Sequence, residues 1–234
     1  MRTDLRLPVL AEAPGIAGGE ANGQVSLRRS QLDSSRAALD GLRRLAGELR
    51  CVLVTSVDGG AAGVAVGIAT AAALEGQRVM LMECQLSRPE LAARLGLRSG
   101  PGLSEYLAWE ATAPELLQPI DLSGAAVEAA REGGQLVCVV GGDATGEPAE
   151  LVADPSFAAA MRKLRKAYEL VVLAAAPVGG DELPLIAPFA DAVVLCASER
   201  QIAEGSDGVG RALARMPIQP GGIVRLPGAA AQRS

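Results

Sequence analysis

The amino-acid sequence predicts an α/β fold, a mostly parallel sheet with helices on both faces. Short runs of continuous apolar, often β-branched residues recur along the chain as CVLVTS, RVMLME, QLVCVV, YELVVLA and DAVVLCA, the pattern of strands buried on both faces. Segments of helical spacing lie between them, as parallel pairing requires. With 234 residues, the chain suits one domain with loose ends.

Residues 1–28 are rich in Gly, Ala and Pro and show no sustained period, which predicts a flexible N-terminal arm ahead of a domain spanning 29–226. From Ser30 to Leu49, Leu32, Leu39, Leu42, Leu45 and Leu49 fall at near-helical spacing with arginines between them, an amphipathic helix leading into the first buried strand. That strand, CVLVTS, passes through a glycine turn into the small-residue segment ending at Leu74, and RVMLME follows. Pro89 opens a helix, PELAARLGL. In GLSEYLAWE, Tyr106 and Trp109 stand three apart and are expected to pack on one helical face, with a binding surface as the alternative.

Residues 111–134 form a weakly patterned acidic connection with Glu115, Asp121, Glu128 and Glu132. Gln135–Val140 is a strand closed by Gly141 and Gly142. Pro148 to Val152 and Asp154 to Lys166 read as helices, the second turning Phe157, Met161 and Leu164 inward and Arg162, Lys163, Arg165 and Lys166 outward to solvent. Strands at Tyr168–Ala174 and Asp191–Ala197, a helix over Glu199–Met216, a last strand at Gly222–Leu226 and a disordered tail, 227–234, complete the chain.

Absences restrict the chemistry. No histidine is present, so His general bases and His-ligated metals are excluded. The only lysines are Lys163 and Lys166, on one helix. A net charge of −5 without a long basic run argues against nucleic acid. Cys51, Cys84, Cys138 and Cys196 lie in or beside apolar runs without CxxC spacing and are expected to be buried reduced thiols. The N-terminus lacks the apolar core of a signal peptide and no apolar run reaches membrane-spanning length, so a cytoplasmic location is expected.

The stretch Val52–Leu74 has the strand, glycine loop and helix with which nucleotide-binding α/β domains begin. Such loops wrap backbone amides around phosphate, while a lysine and a Ser or Thr hydroxyl hold the phosphates and Mg²⁺. Here the loop is Asp58, Gly59, Gly60, Ala61, Ala62 and Gly63, and its only charge is negative. Ligands of such sheets bind at the C-terminal strand ends, where the loops after Ser56, Glu83 and Ala174 should converge.

The runs MLMECQLSRPELAARLGLRSGPGLSEYL, GEPAELVADPSFAAAMRKLRKAYELVVLAAAPV and APFADAVVLC resemble, in order, the cytoplasmic bacterial tyrosine kinases (BY-kinases) of exopolysaccharide synthesis, P-loop proteins related to the MinD/ParA group. DSSRAALDGL is similar to the family's Glu-x-x-Arg-x-x-Arg self-association helix, keeping Arg36, with Asp33 for Glu and Leu39 for the second Arg. The resemblance implies a MinD/ParA-type P-loop NTPase fold, homo-oligomerisation through the Asp33–Arg36 helix and ATP-dependent tyrosine phosphorylation.

The chemical positions depart from the family. Ala61 falls at the phosphate lysine and Ala62 at the Mg²⁺ hydroxyl. In the Asp-x-Asp-x-Arg motif Glu83, Gln85 and Ser87 replace the three key residues, while Arg88 and Pro89 remain. Ala174 stands at the Walker B Asp, and the tail has no tyrosine cluster. Arg88 is a candidate anion contact or a cap on the neighbouring helix, and Glu83 a weak metal candidate. The expectation is a degenerate kinase homologue with no cofactor, docking on a membrane-bound chain-length determinant or an active relative and thereby held peripherally at the inner membrane. The alternatives are a divergent active kinase, using ATP and Mg²⁺ and phosphorylating Tyr106, Tyr168 or a partner, and a MinD/ParA-like positioning factor.

Overall fold

The computed structural model describes residues 7–12, 23–125, 133–143, 146–204 and 221–226. In chain order the first half holds β1 (Val9–Glu12), α1 (Arg29–Ala46), β2 (Cys51–Ser56), α2 (Ala61–Leu74), β3 (Arg78–Glu83), α3 (Leu91–Leu95), α4 (Leu103–Leu107), α5 (Ala113–Leu116) and β4 (Gln118–Pro119). The second half holds β5 (Gln135–Val139), α6 (Pro148–Ala153), α7 (Pro155–Ala167), β6 (Leu170–Ala174), α8 (Leu183–Ile186), a 3₁₀ turn (Ala187–Phe189), β7 (Ala192–Ser198), α9 (Glu199–Glu204) and β8 (Gly222–Leu226).

The described strands make one sheet of order β1-β8-β7-β2-β6-β3-β5-β4. Every neighbouring pair is parallel except β4 with β5. Buried residues divide into two cores, one on each face of the sheet. Val52, Val54, Val79, Leu81, Val172 and Val194 face α1 and α2, while Leu53, Met80, Met82, Val171, Leu173 and Val193 face the side of α4, α6, α7 and α8. This alternation on strands covered on both faces is why they read as continuous apolar runs. All of α2 is buried, as a helix apolar on every side must be. It lies against the sheet beneath α1, whose Leu32, Leu39 and Leu42 turn inward.

Four expectations are corrected. The arm 1–28 is not flexible throughout, because Val9–Glu12 adds to the sheet in parallel with β8 and Val25 and Leu27 are buried. Leu10 packs there against Gly41 and Gly222. Tyr106 and Trp109 do not share a packed face: Tyr106 lies against the second core, whereas α4 ends at Leu107 and Trp109 has a positive φ of 65° that turns its ring outward, 80% exposed. Arg165 does not stand free in solvent. It pairs with Asp191 at 2.9 Å and donates to the Phe189 carbonyl, while Asp191 also accepts from the Arg50 and Cys51 amides. Finally, the connection 111–134 contains α5 and the antiparallel strand β4.

All four cysteines are free and buried. Burial pushes the Cys51 thiol up to about 12 and raises those of Cys84, Cys138 and Cys196 as well, so none is a ready thiolate. No helix among the described residues is long and apolar enough to cross a membrane. The tail 227–234, Glu128, Glu132 and the continuation of α9 toward Met216 lie outside the described residues.

Candidate functional site

β2, β6 and β3 are neighbours, so the loops after Ser56, Ala174 and Glu83 meet at one end of the sheet. Register fixes the meeting: Val54 pairs with Ala174, and Ala174 with Glu83. Val54 and Ala174 belong to the core on the α2 face, and Glu83, as Ala174's register partner, projects to that face too. Hydrogen bonds bind the loops together. Thr55 Oγ1 donates to the Ala176 carbonyl at 2.6 Å, the Val178 amide donates to the Ser56 carbonyl at 2.7 Å, and the Cys84 amide to the Ala174 carbonyl at 2.8 Å.

The glycine loop is the short link Val57 to Gly60 between β2 and α2. Gly59 and Gly60 both hold positive φ, 142° and 88°, conformations that glycine adopts without a steric cost. The Gly59 amide donates to Ser56 Oγ at 3.0 Å, so the loop closes on its own strand. Beside it a Cβ on Gly60 would fall 2.8 Å from Leu226 Cδ1, so an apolar side chain from the end of β8 flanks the loop. Ala61 and Ala62 form the first turn of α2 and are buried. Phosphate-binding loops carry a lysine and a hydroxyl where the loop enters its helix; the side chains that open α2 here are methyl groups.

Glu83 has a role that its sequence position does not reveal. Only 1% exposed, it accepts from the Glu90 amide, from the Leu91 amide at 2.8 Å and from the Gly141 amide at 2.9 Å. It therefore caps α3, the task open to Arg88 from the sequence, and ties α3 to the loop after β5. Burial raises its pKa, against the lowering pull of these three amides. With both oxygens committed to the backbone, it has no oxygen free of protein contacts for a cation. Gln85 is half-buried in the loop after β3, and Ser87 and Arg88 are exposed. Among the described residues no group of three or more His, Cys, Asp or Glu could hold a metal ion.

Two further carboxylates come to this end. Glu105 accepts from the Gly102 and Asp143 amides at 2.7 and 2.8 Å and joins α4 to the loop after β5. Burial works to raise its pKa, but the hydrogen bonds from Asp143, Gly102 and Ser104 outweigh burial and lower it. Glu182, after β6, is 6% exposed, and its Oε1 has no hydrogen-bond partner. The sequence signals neither role, because Glu105 reads as part of a helix and DELP as a turn. No Lys or Arg occurs between Arg50 and Arg78 or between Lys166 and Arg200, so the loops after β2 and β6 bring Asp58, Asp181 and Glu182 without a balancing cation. Of the sequence-predicted residues, Asp58, Gly59, Gly60, Ala61, Ala62, Gly63, Glu83, Gln85, Arg88 and Ala174 all lie in or beside these loops. Asp33 and Arg36 lie apart from them on α1, Asp33 exposed and Arg36 half-buried.

Comparison with solved structures identifies the architecture. The kinase domain of the Escherichia coli tyrosine kinase Etk superposes with a TM-score of 0.76 at 16% identity, covering 95% of this chain and 92% of that one. The chimerical protein CapA2B2 gives 0.71 at 17% identity, covering 95% of each chain. The septum site-determining protein MinD of Pyrococcus horikoshii, complexed with Mg-ADP, gives 0.55 at 17% identity over 78% of this chain and 76% of that one. The fold is that of MinD/ParA-type P-loop NTPases, and at these identities the likeness is one of fold. No protein-family model matches the chain, and no curated sequence matches it significantly.

Proposed function

We propose that this chain is a catalytically silent relative of the exopolysaccharide tyrosine kinases, serving as a regulatory or scaffolding partner in polysaccharide synthesis or export. The observation that carries the reading is the simultaneous replacement of the phosphate and metal groups. Ala61, Ala62 and Ala174 offer methyl groups, Gln85 offers an amide, and the Glu83 carboxylate is committed to three backbone amides. A charge-assisted contact to phosphate contributes about 1.5–3 kcal/mol, and a positioned acid or base roughly 10²–10⁴ in rate. Losing the lysine, hydroxyl and carboxylate together leaves phosphoryl transfer without its electrostatic stabilisation.

The greater coverage and TM-score of the match to the Etk kinase domain than to MinD favour a kinase-like origin over a positioning ATPase. In this reading the partner is a membrane-bound chain-length determinant or an active relative, α1 with Asp33 and Arg36 is a self-association surface, and the partner holds the chain at the inner membrane. A divergent active kinase is the second reading, favoured by that same kinase match. Incubating the chain with γ-³²P-ATP and Mg²⁺, alone and with a chain-length determinant, separates the two. No label is expected on the chain or partner, whereas label on Tyr106, Tyr168 or the partner overturns the silent-relative reading.

A further inference from the structure

The least explained group at the loop end of the sheet is Glu182. It occupies the N-cap of α8, yet its side chain accepts no hydrogen bond from that helix, the usual use of an acid there. It enters none of the ion pairs found among the described residues. The carboxylate lies over its own loop, because a Cβ on Gly180 would stand 3.2 Å from Oε2 and 3.0 Å from the Ala176 Cβ. It also lies close enough to Cys84, past the end of β3, to act on that thiol. Burial raises the Cys84 pKa most, and the charges of Cys51, Glu83 and Glu182 add to it.

A buried carboxylate without a partner calls for one, since buried charges are paired or hydrogen-bonded. Nearby charge defines the partner's sign: Asp58 and Asp181 are exposed on the adjoining loops and the only basic side chain on these loops is the exposed Arg88 after β3. One orphaned oxygen, with no third acid, Cys or His to complete a metal site among the described residues, suits a hydrogen-bond-donating organic cation.

We infer that Glu182 anchors a recognition site for a guanidinium or alkylammonium group, at the end of the sheet where proteins of this architecture otherwise bind phosphate. Gly179, with nothing within 4 Å of where its Cβ would be, and Gly180 present no side chain over the carboxylate. The inference deepens the silent-relative reading and rests on it: the site has exchanged an anion for a cation.

The test uses the full chain and Glu182→Gln at low ionic strength, with three probes. Agmatine is a free cation, acetyl-Gly-Arg-Gly-amide carries the guanidinium as a side chain, and tetramethylammonium is a cation that cannot donate. Calorimetric titration is expected to show binding of agmatine or the peptide, weakened about tenfold or more in Glu182→Gln, and none of tetramethylammonium. The tighter of the first two probes identifies the source as a free amine or a partner's side chain. No response to either, an equal response to tetramethylammonium, or unchanged affinity in Glu182→Gln overturns the inference. Should Glu182→Gln fail to fold, carbodiimide labelling of Glu182 in the unaltered chain decides, since methylguanidinium, which has no free amine to couple to the activated carboxyl, slows it if the inference holds and leaves it unchanged if not. A parallel titration with ATP and Mg²⁺ keeps the two readings apart. Nucleotide binding beside Glu182-dependent agmatine binding sinks only the silent-relative reading, and the absence of both sinks only this one.

Discussion

Replacing Glu83 by Ala is expected to destabilise the fold by about 3–5 kcal/mol, because it leaves three amides without their acceptor, two at the start of α3 and one after β5. Each buried donor left unpaired costs about 1–3 kcal/mol, and three that share one carboxylate do not add fully. Glu83→Gln should lose less, since one oxygen still accepts while the new NH₂ faces a backbone donor. Urea unfolding of the three chains measures this. The pH dependence is a second signature. The Glu83 pKa is raised in the fold by burial, so the native state holds its proton to higher pH than the unfolded chain does. Its contribution to stability is therefore fully present below the ordinary carboxylate range and is lost as pH rises through the folded value. Glu83→Gln removes that component of the slope. A wild-type midpoint unmoved by Glu83→Ala would mean that the carboxylate is not the cap the structure assigns.

Ala174→Asp, which puts a carboxylate where the family resemblance implies the Walker B Asp, has the second largest expected effect. Ala174 is 3% exposed, faces α2 with Val54 and stands beside Glu83 in register. An unpaired charge at that position should cost about 3 kcal/mol or more at neutral pH. The loss should shrink in acid, as the new carboxyl takes up a proton that the buried site favours. Mg²⁺ is expected to give no recovery, because the Ala62 methyl and the committed Glu83 supply no further ligand. Midpoints of thermal unfolding at pH 7 and pH 4, with and without Mg²⁺, check both statements. A Mg²⁺-dependent rise in the variant would show that the metal site is merely missing one ligand.

The sheet was legible because its central strands are covered on both faces, so CVLVTS, LVVLA and AVVLCAS appear as unbroken apolar runs. The edges were not. β1 is four residues long with Val9 and Glu12 exposed, and β4 is two residues, too short for a period to register. The loop residues that converge were legible from the order of strands, and the uncharged side chains of Ala61, Ala62 and Ala174 from the residues themselves. What Glu83 does instead was not legible, since its amide partners come from two separate loops, one 58 positions away. Ser56 likewise reads as the end of a strand, and only the fold shows its hydroxyl accepting from Gly59. Trp109 misled because three-residue spacing from Tyr106 holds only within a helix, and α4 stops at Leu107.

At the end of the sheet where the loops after β2, β3 and β6 converge, the glycine loop closes on its own strand and has apolar neighbours. The loop amide of Gly59 bonds Ser56, the first turn of α2 carries Ala61 and Ala62, and Leu226 flanks Gly60. The two apolar cores hold the sheet and its covering helices together without a basic group in the glycine loop, and the claim they leave to test is that this loop binds no nucleotide. Equilibrium dialysis of the purified chain against ATP with Mg²⁺ tests that claim most directly. The structure predicts no binding at micromolar nucleotide, and saturable micromolar binding that requires Mg²⁺ would contradict it.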